Sequence, residues 1–186
     1  HGEPAPHAAV LIEQAEAQIG RVKDFHELDN LESAYGYYLD KNLWNDLANL
    51  YAEDGSMELA QRGIYIGPER GRGMLFNVFG AEGPQEGRLG NHIQWQPVIH
   101  VAPDGQSAKI RSRMMQQLTF GPRPSMGASL YENEAVKENG VWKFSKVHWF
   151  QTFAAPYDPG WHRAPQPLEP PLADFPPDRP PTYAYQ

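Results

Sequence analysis

The chain of 186 residues has no cysteine, no excess of basic residues and no long apolar run. Without cysteine, disulfides, thiolate nucleophiles and thiolate metal sites are excluded. Lysine and arginine total 16 against 23 acidic residues, a net charge of -7, so no basic face for nucleic-acid phosphates is expected. No apolar stretch approaches the roughly 20 residues that a membrane-spanning helix needs. The composition therefore favours neither nucleic acid nor a membrane as a partner.

Metal and nucleotide motifs are also missing. His92 and His100 share one predicted strand, but at the usual rise they lie about 26 Å apart and cannot hold one ion. The remaining histidines are scattered without a ligand spacing. No glycine-rich loop follows a strand and opens a helix, as a phosphate site requires. We therefore expect no metal and no organic cofactor.

The second half of the chain contains four strand-like runs, at residues 91–101, 107–120, 127–137 and 141–153. Asp104-Gly105 and Asn139-Gly140 supply the positive φ of tight turns, which predicts antiparallel hairpins. The remaining break, residues 121–125, contains two prolines and predicts a longer loop. The pattern indicates a meander sheet whose one face must be covered by the preceding segment.

The first half predicts helices and one small hairpin, over residues 8–20, 24–39, 42–51, 56–66 and 68–79. Gly20 is a plausible stop for the first helix, Asn42 a cap for the third, and Pro68 a first residue for the last. The glycine-rich loop 80–90 leads directly to His92. It is either a flexible connection or a lid over a pocket.

The composition changes after residue 155, because residues 156–186 hold ten of the eighteen prolines. Such a segment favours extended conformations and cannot form a core. We therefore expect an α+β domain over 1–155 and a proline-rich tail over 156–186. The tail is predicted to lie along a neighbouring protomer of a homo-oligomer, a dimer or trimer. The opening residues 1–7 would suit a mature exported protein, so both bacterial cytoplasm and periplasm stay open.

Several short motifs follow one another between residues 24 and 153. They are Tyr35 to Asp40, Trp44 and Leu47 through Asp54-Gly55, Gly67, Asn91-His92-Ile93, Asp104 to Ala108, Tyr131, Asn133, and Gly140 to Phe144. This order resembles the SnoaL-like branch of the nuclear transport factor two superfamily. The resemblance implies a strongly curved antiparallel sheet, wrapped with helices into a cone around a mostly apolar cavity. Relatives of this kind include polyketide cyclases, ketosteroid isomerases, scytalone dehydratases, epoxide hydrolases, cofactor-free lyases of aromatic dimers and non-catalytic domains.

His92 is the first candidate for catalysis. Strict alternation places it with Gln94 and Gln96 on one strand face, opposite Ile93, Trp95 and Ile99. That polar stripe either faces solvent or lines a cavity, and the resemblance implies the cavity, as for the matching histidine of scytalone dehydratases. A histidine can both take and give a proton near neutral pH.

Asp40 matches an acidic position at the end of a cavity-lining helix in those relatives. Its alternative role is to cap the next helix. Tyr35 and Tyr38, which share a helix face, are candidates to bind an oxygen where negative charge develops. The dehydratases carry a tyrosine directly before that aspartate, whereas this chain has Leu39.

Several further side chains are candidates with a plain structural alternative. Arg113, with Arg111 on the same strand face, could hold a developing oxyanion or could be a surface cation. His148 is either a second catalytic group or a core histidine. Glu58 and Arg62 could pair at the cavity mouth or form an exposed salt bridge. The predicted substrate contacts are Glu58, Arg62, Arg111, Trp95, Tyr131 and Asn133.

The sequence thus predicts a cofactor-independent lyase that eliminates water or a small fragment such as formaldehyde. The substrate is expected to be a small, apolar, aromatic or polycyclic alcohol. His92 would move the proton, and Asp40 would orient it. An isomerase or cyclase would use the same groups, while a binding domain without chemistry predicts that His92 and Asp40 do not converge.

Overall fold

The computed structural model describes residues 6–119, 124–163 and 170–182. In these ranges the helices are α1 (Pro6–Asp40), α2 (Trp44–Ala48) and α3 (Pro68–Phe79), with a short 3-10 helix at Ala60–Arg62. The strands are β1 (Tyr51–Leu59), β2 (Ile64–Ile66), β3 (Gly90–Val101), β4 (Ser107–Leu118), β5 (Ser125–Glu138) and β6 (Val141–Pro156). Of the helices so described, none is long and apolar enough to cross a membrane.

Helix α1 is continuous over 35 residues, so the prediction of a helix that stops at Gly20 was wrong. Gly20 lies inside the helix, with open space where a side chain would sit. Glycine costs roughly 1 kcal/mol relative to alanine, which is too little to interrupt so long a helix. Only the C-terminal half packs on the domain, where Leu28, Leu31 and Tyr35 are buried.

The strands form one sheet in the order β2-β1-β6-β5-β4-β3. The four predicted long strands pair antiparallel as a meander, which confirms the α+β class with a curved sheet. Strand β1 runs parallel to β6. Of the predicted loop 121–125, residues 121–123 lie outside the described residues.

The two predicted hairpin turns have the expected backbone. Gly105 has a φ of 67°, and Asn139 and Gly140 have φ values of 52° and 81°. Two successive residues with positive φ match the right-handed twist of paired strands. The turn residues therefore have the backbone that antiparallel hairpins require, as the sequence predicted.

A bulge interrupts β3 at Gln96 and Pro97. Gln96 has a φ of 56°, and the pairing of β3 with β4 shifts at this point. Because a bulge resets the alternation of side chains, Ile99 packs against the core. The predicted grouping of Gln96 with His92 on one face, and of Ile99 with Trp95 on the other, was therefore wrong.

The core lies between the inner face of the sheet and the three helices. Every second residue is buried along β4 and in the middle of β5, because side chains of a strand alternate between its faces. Trp44 of α2 and Met74 of α3 complete the core.

The glycine-rich loop 80–90 is bonded to the segment around α2. Trp44 donates its indole N–H to the carbonyl of Gly80 at 2.9 Å, and Gly83 donates its N–H to the carbonyl of Asn42 at 2.9 Å. These bonds attach the loop 80–90 to α2 and to the turn before it, while the role of the loop as a lid stays a prediction.

The described part of the tail, residues 170–182, packs on its own domain. Phe175 stacks on Tyr65 with ring centroids 5.8 Å apart, and the Arg70 guanidinium lies 4.2 Å from the centroid of Phe175. Gly73 makes room for this ring, since a Cβ there would lie 2.6 Å from Cζ of Phe175. Residues 170–182 thus contact their own domain, and the contact of the tail with a neighbouring protomer stays a prediction.

The tail also extends the sheet by one short pairing. Ile64 of β2 donates its N–H to the carbonyl of Arg179 at 2.9 Å, and its own carbonyl accepts from Asp178 and Arg179. Further along, Thr182 donates its N–H and its hydroxyl to the Glu58 carboxylate at 2.5 and 2.7 Å. The described part of the tail therefore follows the β2 edge and contacts β1 at Thr182.

Candidate active site

Asp40 and His92 meet where the end of α1 lies against the start of β3. Asp40 Oδ1 accepts two hydrogen bonds from His92, one from the backbone N–H and one from Nδ1, both at 2.8 Å. Both side chains are largely withdrawn from solvent, with 4% of His92 and 17% of Asp40 exposed. The structure thus brings together the two residues that the sequence singled out first.

Helix α1 lies against β3 at Gly36, where an added Cβ would make only ordinary contacts. A Cβ on Gly36 would lie 3.4 Å from Gln94 Nε2 and 3.7 Å from the carbonyl oxygen of His92. Asp40 is the last residue of α1. Helix α2 begins at Trp44, and the residue at its N-cap is Leu43 and not the predicted Asn42, so no side-chain hydrogen bond caps it. Asp40 therefore binds β3 and does not cap the next helix.

The double contact decides what the His92 ring can do. We assign the ring proton to Nδ1, because Nδ1 faces a carboxylate oxygen. Nε2 is then the basic nitrogen of the neutral ring. The negative charge of Asp40 stabilises the imidazolium that forms when Nε2 takes a proton. The pair is therefore an oriented acid–base group.

Polar side chains on the inner face of the sheet surround this pair. Gln116 lies opposite His92 across β3 and β4, and Gly127 follows on β5. The Gln116 Nε2 lies 3.0 Å from the position of a Cβ on Gly127, so glycine leaves room for that amide. Sequence reasoning missed Gln116, although the alternation of β4 places it on the same face as Met114.

Four buried side chains near the interior have polar atoms without a hydrogen-bond partner among the described residues. They are the Gln94 amide, the Ser129 hydroxyl, the Trp149 indole N–H and the Tyr51 hydroxyl, of which only the Tyr51 hydroxyl has another hydroxyl, that of Tyr35, close enough to influence its pKa. Buried polar groups of folded proteins are nearly always hydrogen-bonded. These groups can therefore serve a ligand that carries oxygen or nitrogen atoms.

The Glu32 carboxyl lies about two turns before Asp40 on α1. Ser112 donates its hydroxyl to Glu32 Oε1 at 3.2 Å, and Asn133 Nδ2 donates to the same oxygen at 3.0 Å. Burial raises the pKa of Glu32 to about 7, and the two hydrogen bonds offset only part of that rise. Glu32 can therefore gain or lose a proton near neutral pH. Sequence reasoning missed it, although an acidic residue beside Leu31 on an apolar helix stripe is a detectable signal.

Three tyrosines share this interior, namely Tyr35, Tyr51 and Tyr131. The rings of Tyr35 and Tyr131 meet edge to face, with centroids 5.7 Å apart. Burial raises the pKa of all three hydroxyls, and the nearby negative charge of Glu32 adds to the rise. They are therefore neutral hydrogen-bond donors. Tyr131 also experiences the charge of Asp40, whereas Tyr38 lies half-buried at the margin of the core.

Arg111 and Arg113 lie on the opposite face of the sheet from His92. Strand β4 alternates between exposed and buried residues, and both arginines are exposed. Arg111 forms an ion pair with Glu132 on the neighbouring strand at 2.7 Å. Trp95 pairs with Arg113 and shares this outer face. The predicted positions of these three residues inside the cavity were therefore wrong.

His148 also takes the outer face, beyond the reach of His92. Its Nε2 lies 3.5 Å from Oε1 of Glu58, and its ring stacks on Phe150 with centroids 3.8 Å apart. Burial lowers the pKa of His148, and the charge of Glu58 opposes that shift. The structure therefore does not bring His148 or Glu58 to the site and matches the alternative of a buried histidine.

Two further predicted contacts have other surroundings. The Asn133 amide is engaged on both sides, because it donates to Glu32 and accepts the backbone N–H of His148 at 3.1 Å. Arg62 ends the 3-10 helix after β1, where burial lowers the pKa of its guanidinium.

A cavity of about 420 Å³ opens on the outer face, with His148 and Asn133 in its wall. It is separate from the Asp40–His92 pair.

Comparison with known proteins identifies the family. The SnoaL-like domain family matches residues 20–148. A protein of Novosphingobium aromaticivorans, provisionally assigned as a scytalone dehydratase, has a TM-score of 0.66 and 19% identity, covering 84% of this chain and 97% of that chain. The type 2 hexachlorocyclohexane dehydrochlorinase LinA has a TM-score of 0.65 and 22% identity, covering 75% and 92%. ActVI-ORFA of Streptomyces coelicolor has a TM-score of 0.59 and 14% identity, covering 69% and 96%.

No protein with a curated function matches the sequence significantly. At these identities the structural likeness establishes the fold alone. The family match covers more than half of the chain and includes Asp40 and His92. It leaves out the first half of α1 and the tail. The chain therefore belongs to the SnoaL-like domain family and has its NTF2-like cone fold.

Proposed function

We propose that this protein is a cofactor-independent lyase that uses acid–base chemistry in the interior of the cone. One observation carries the proposal, the Asp40–His92 pair with both hydrogen bonds at 2.8 Å. A histidine held by a carboxylate through Nδ1 leaves Nε2 free to accept a proton from a substrate. The neighbouring structures named as a dehydratase and a dehydrochlorinase support an elimination.

The proposed reaction is the loss of water from an alcohol. Nε2 of His92 takes a proton from a carbon, and the electrons of that C–H bond form a carbon–carbon double bond. The C–O bond on the adjacent carbon breaks at the same time. The departing oxygen receives the proton back from the imidazolium and leaves as water. His92 then returns to its neutral form, so the step needs no other reactant.

The surroundings of the pair support one class of substrate. The core next to it is aromatic and apolar, with Tyr35, Tyr131 and Phe144 in contact. The neutral hydroxyls of Tyr35 and Tyr131 can donate to an oxygen that gains negative charge. We therefore propose a small aromatic or polycyclic alcohol, and loss of formaldehyde from such a compound would use the same base.

Product analysis by mass spectrometry tests the proposal. Purified protein is incubated with aromatic alcohols, phenolic dimers and polyketide-like rings, and loss of water or formaldehyde is measured. His92→Ala should lower turnover by about 10² to 10⁴-fold. His100→Ala is the control, because it changes an exposed histidine farther along the same strand, after the bulge.

Other outcomes would replace this function. Conversion without a change in mass would assign an isomerase or a cyclase that uses the same proton transfer. Binding of the compounds without turnover would assign a binding domain. Full activity of His92→Ala would contradict the role of the histidine, whichever reaction is found.

A further inference from the structure

The N-terminal half of α1 reaches beyond the domain. From His7 to Lys23 every residue is exposed or, at Ala8 and Gly20, half-buried. Burial on the domain begins at Asp24. In proteins most of the stability of a helix comes from packing of an apolar face against a partner, rather than from helix propensity. The projecting half of α1 would therefore gain from a partner along its length.

This half carries large apolar side chains that are open to solvent. The exposed fraction is 51% for Ile12, 67% for Ile19 and 59% for Val22. Ile12 and Ile19 are seven residues apart, and Ala15 and Val22 follow them by three. This is the a and d spacing of a heptad. The α1 seam is defined here as Ala8, Ile12, Ala15, Ile19, Val22 and His26.

The α1 seam lies on the side of the helix away from the domain. At 3.6 residues per turn, Val22 and His26 are each turned about 160° from Asp24, the buried residue between them. Leu28 and Leu31 continue the buried side. A second helix can therefore bind the seam without displacing any contact between α1 and the sheet.

We propose that the α1 seam binds the α1 seam of a second copy of this chain as an antiparallel two-helix coiled coil. When Ile19 lies opposite Val22 of the second copy, Glu16 comes beside Lys23 of that copy. Symmetry repeats this charge pair, so the interface holds two. Both residues are at e positions of the heptad, which flank a seam and set the orientation of its helices. Lys23 is exposed and already forms an ion pair with Glu27 at 3.5 Å.

The charges disfavour a parallel arrangement of the two helices. In a parallel pair, Asp29, at the next d position, would face its own copy, and two carboxylates would meet. Lys23 would then lie beside Gln18, and the Glu16–Lys23 pairs would be lost. The antiparallel arrangement places Asp29 at the end of the interface. It also places the two domains at opposite ends of the coiled coil, where they do not compete for space.

Engineered cysteines test the arrangement cleanly, because the chain has none. The double variant Ile12→Cys/Asp29→Cys places two thiols opposite each other in the antiparallel pair and should give a disulfide dimer on mild oxidation. The single variant Ile12→Cys should not, because its two copies would lie about 25 Å apart. A dimer from the single variant would overturn the antiparallel arrangement. No dimer from either variant would overturn the proposal.

Sedimentation of the full chain, over a concentration series, tests the contacts themselves. Glu16→Lys should weaken self-association roughly tenfold, because two attractive pairs become repulsive. Adding Lys23→Glu should restore it, and Glu13→Lys, on the side away from the seam, should have no effect. Ile19→Asp should abolish pairing through the seam. A wild-type chain that stays monomeric, or an assembly unaffected by Glu16→Lys and Ile19→Asp, would refute the proposal.

Discussion

Replacing Asp40 with asparagine separates the two contributions of this residue to His92. Asp40 Oδ1 accepts both the backbone N–H and the Nδ1–H of His92, each at 2.8 Å. Asparagine keeps a carbonyl oxygen with two lone pairs. The backbone N–H of His92 selects that oxygen over the amide nitrogen. The ring tautomer should therefore survive, and only the negative charge should be lost.

The size of the effect follows from that charge. Hydrogen bonds to charged groups contribute about 1.5 to 3 kcal/mol. Losing such an interaction with the imidazolium in the transition state should lower kcat roughly 10- to 150-fold. Asp40→Ala leaves two buried N–H groups without an acceptor. It should lower kcat further and reduce the free energy of unfolding by about 1 to 3 kcal/mol.

Two measurements check this reasoning. Steady-state kinetics on a substrate from the product screen give kcat for the wild type and both variants. Nitrogen NMR of the His92 ring, at a pH where the ring is neutral, reports which nitrogen carries the proton. We expect Nδ1–H in the wild type and in Asp40→Asn. Full activity of Asp40→Asn, or a wild-type ring protonated on Nε2, would refute the reasoning.

Three further predictions concern the buried acid and the tail. The pKa of Glu32 is about 7 against an ordinary 4.5, so the folded state holds an extra proton between these values. The free energy of unfolding should therefore fall by up to about 3 kcal/mol as the pH rises through this window, in denaturant titrations of the wild type but not of Glu32→Gln. Gly73→Ala should displace Phe175 and speed proteolysis of the tail, whereas Gly71→Ala, whose Cβ meets only ordinary contacts, should not. Deleting residues 160–186 should lower the melting temperature, since it uncovers the surface under Phe175. A particle with fewer protomers in sedimentation would support the predicted tail interface. An unchanged number of protomers and an unchanged melting temperature would contradict it.

The sequence predicted those features that depend on local chemistry. The hairpin turns follow from Gly105 and from Asn139-Gly140, because few other residues accept positive φ. His92 and Asp40 could be identified as candidate site residues because His92 lies near the start of a predicted strand and Asp40 at the end of a predicted helix. Their convergence was a prediction from family resemblance, and the geometry agrees with it.

The features that depended on distant partners could not be predicted. Strand alternation puts Arg111 and Arg113 on one face, but it does not say which face the helices cover. The burial of Glu32 depends on Ser112 and Asn133, which lie 80 and 101 residues further along the chain. The bulge at Gln96 was signalled only by the proline that follows it.

The pairing of the tail with β2 has a consequence for solubility. An open sheet has two edge strands, here β2 and β3, and an unpaired edge invites strands of other molecules. The tail residues that cover β2 are flanked by Pro176, Pro177, Pro180 and Pro181. Because proline has no backbone N–H, these residues cannot donate hydrogen bonds to a further strand. On the opposite edge, β3 carries a bulge and Pro97 in its middle. Both margins of the sheet thus resist the addition of a foreign strand, so a long, strand-rich chain is protected from edge-to-edge aggregation.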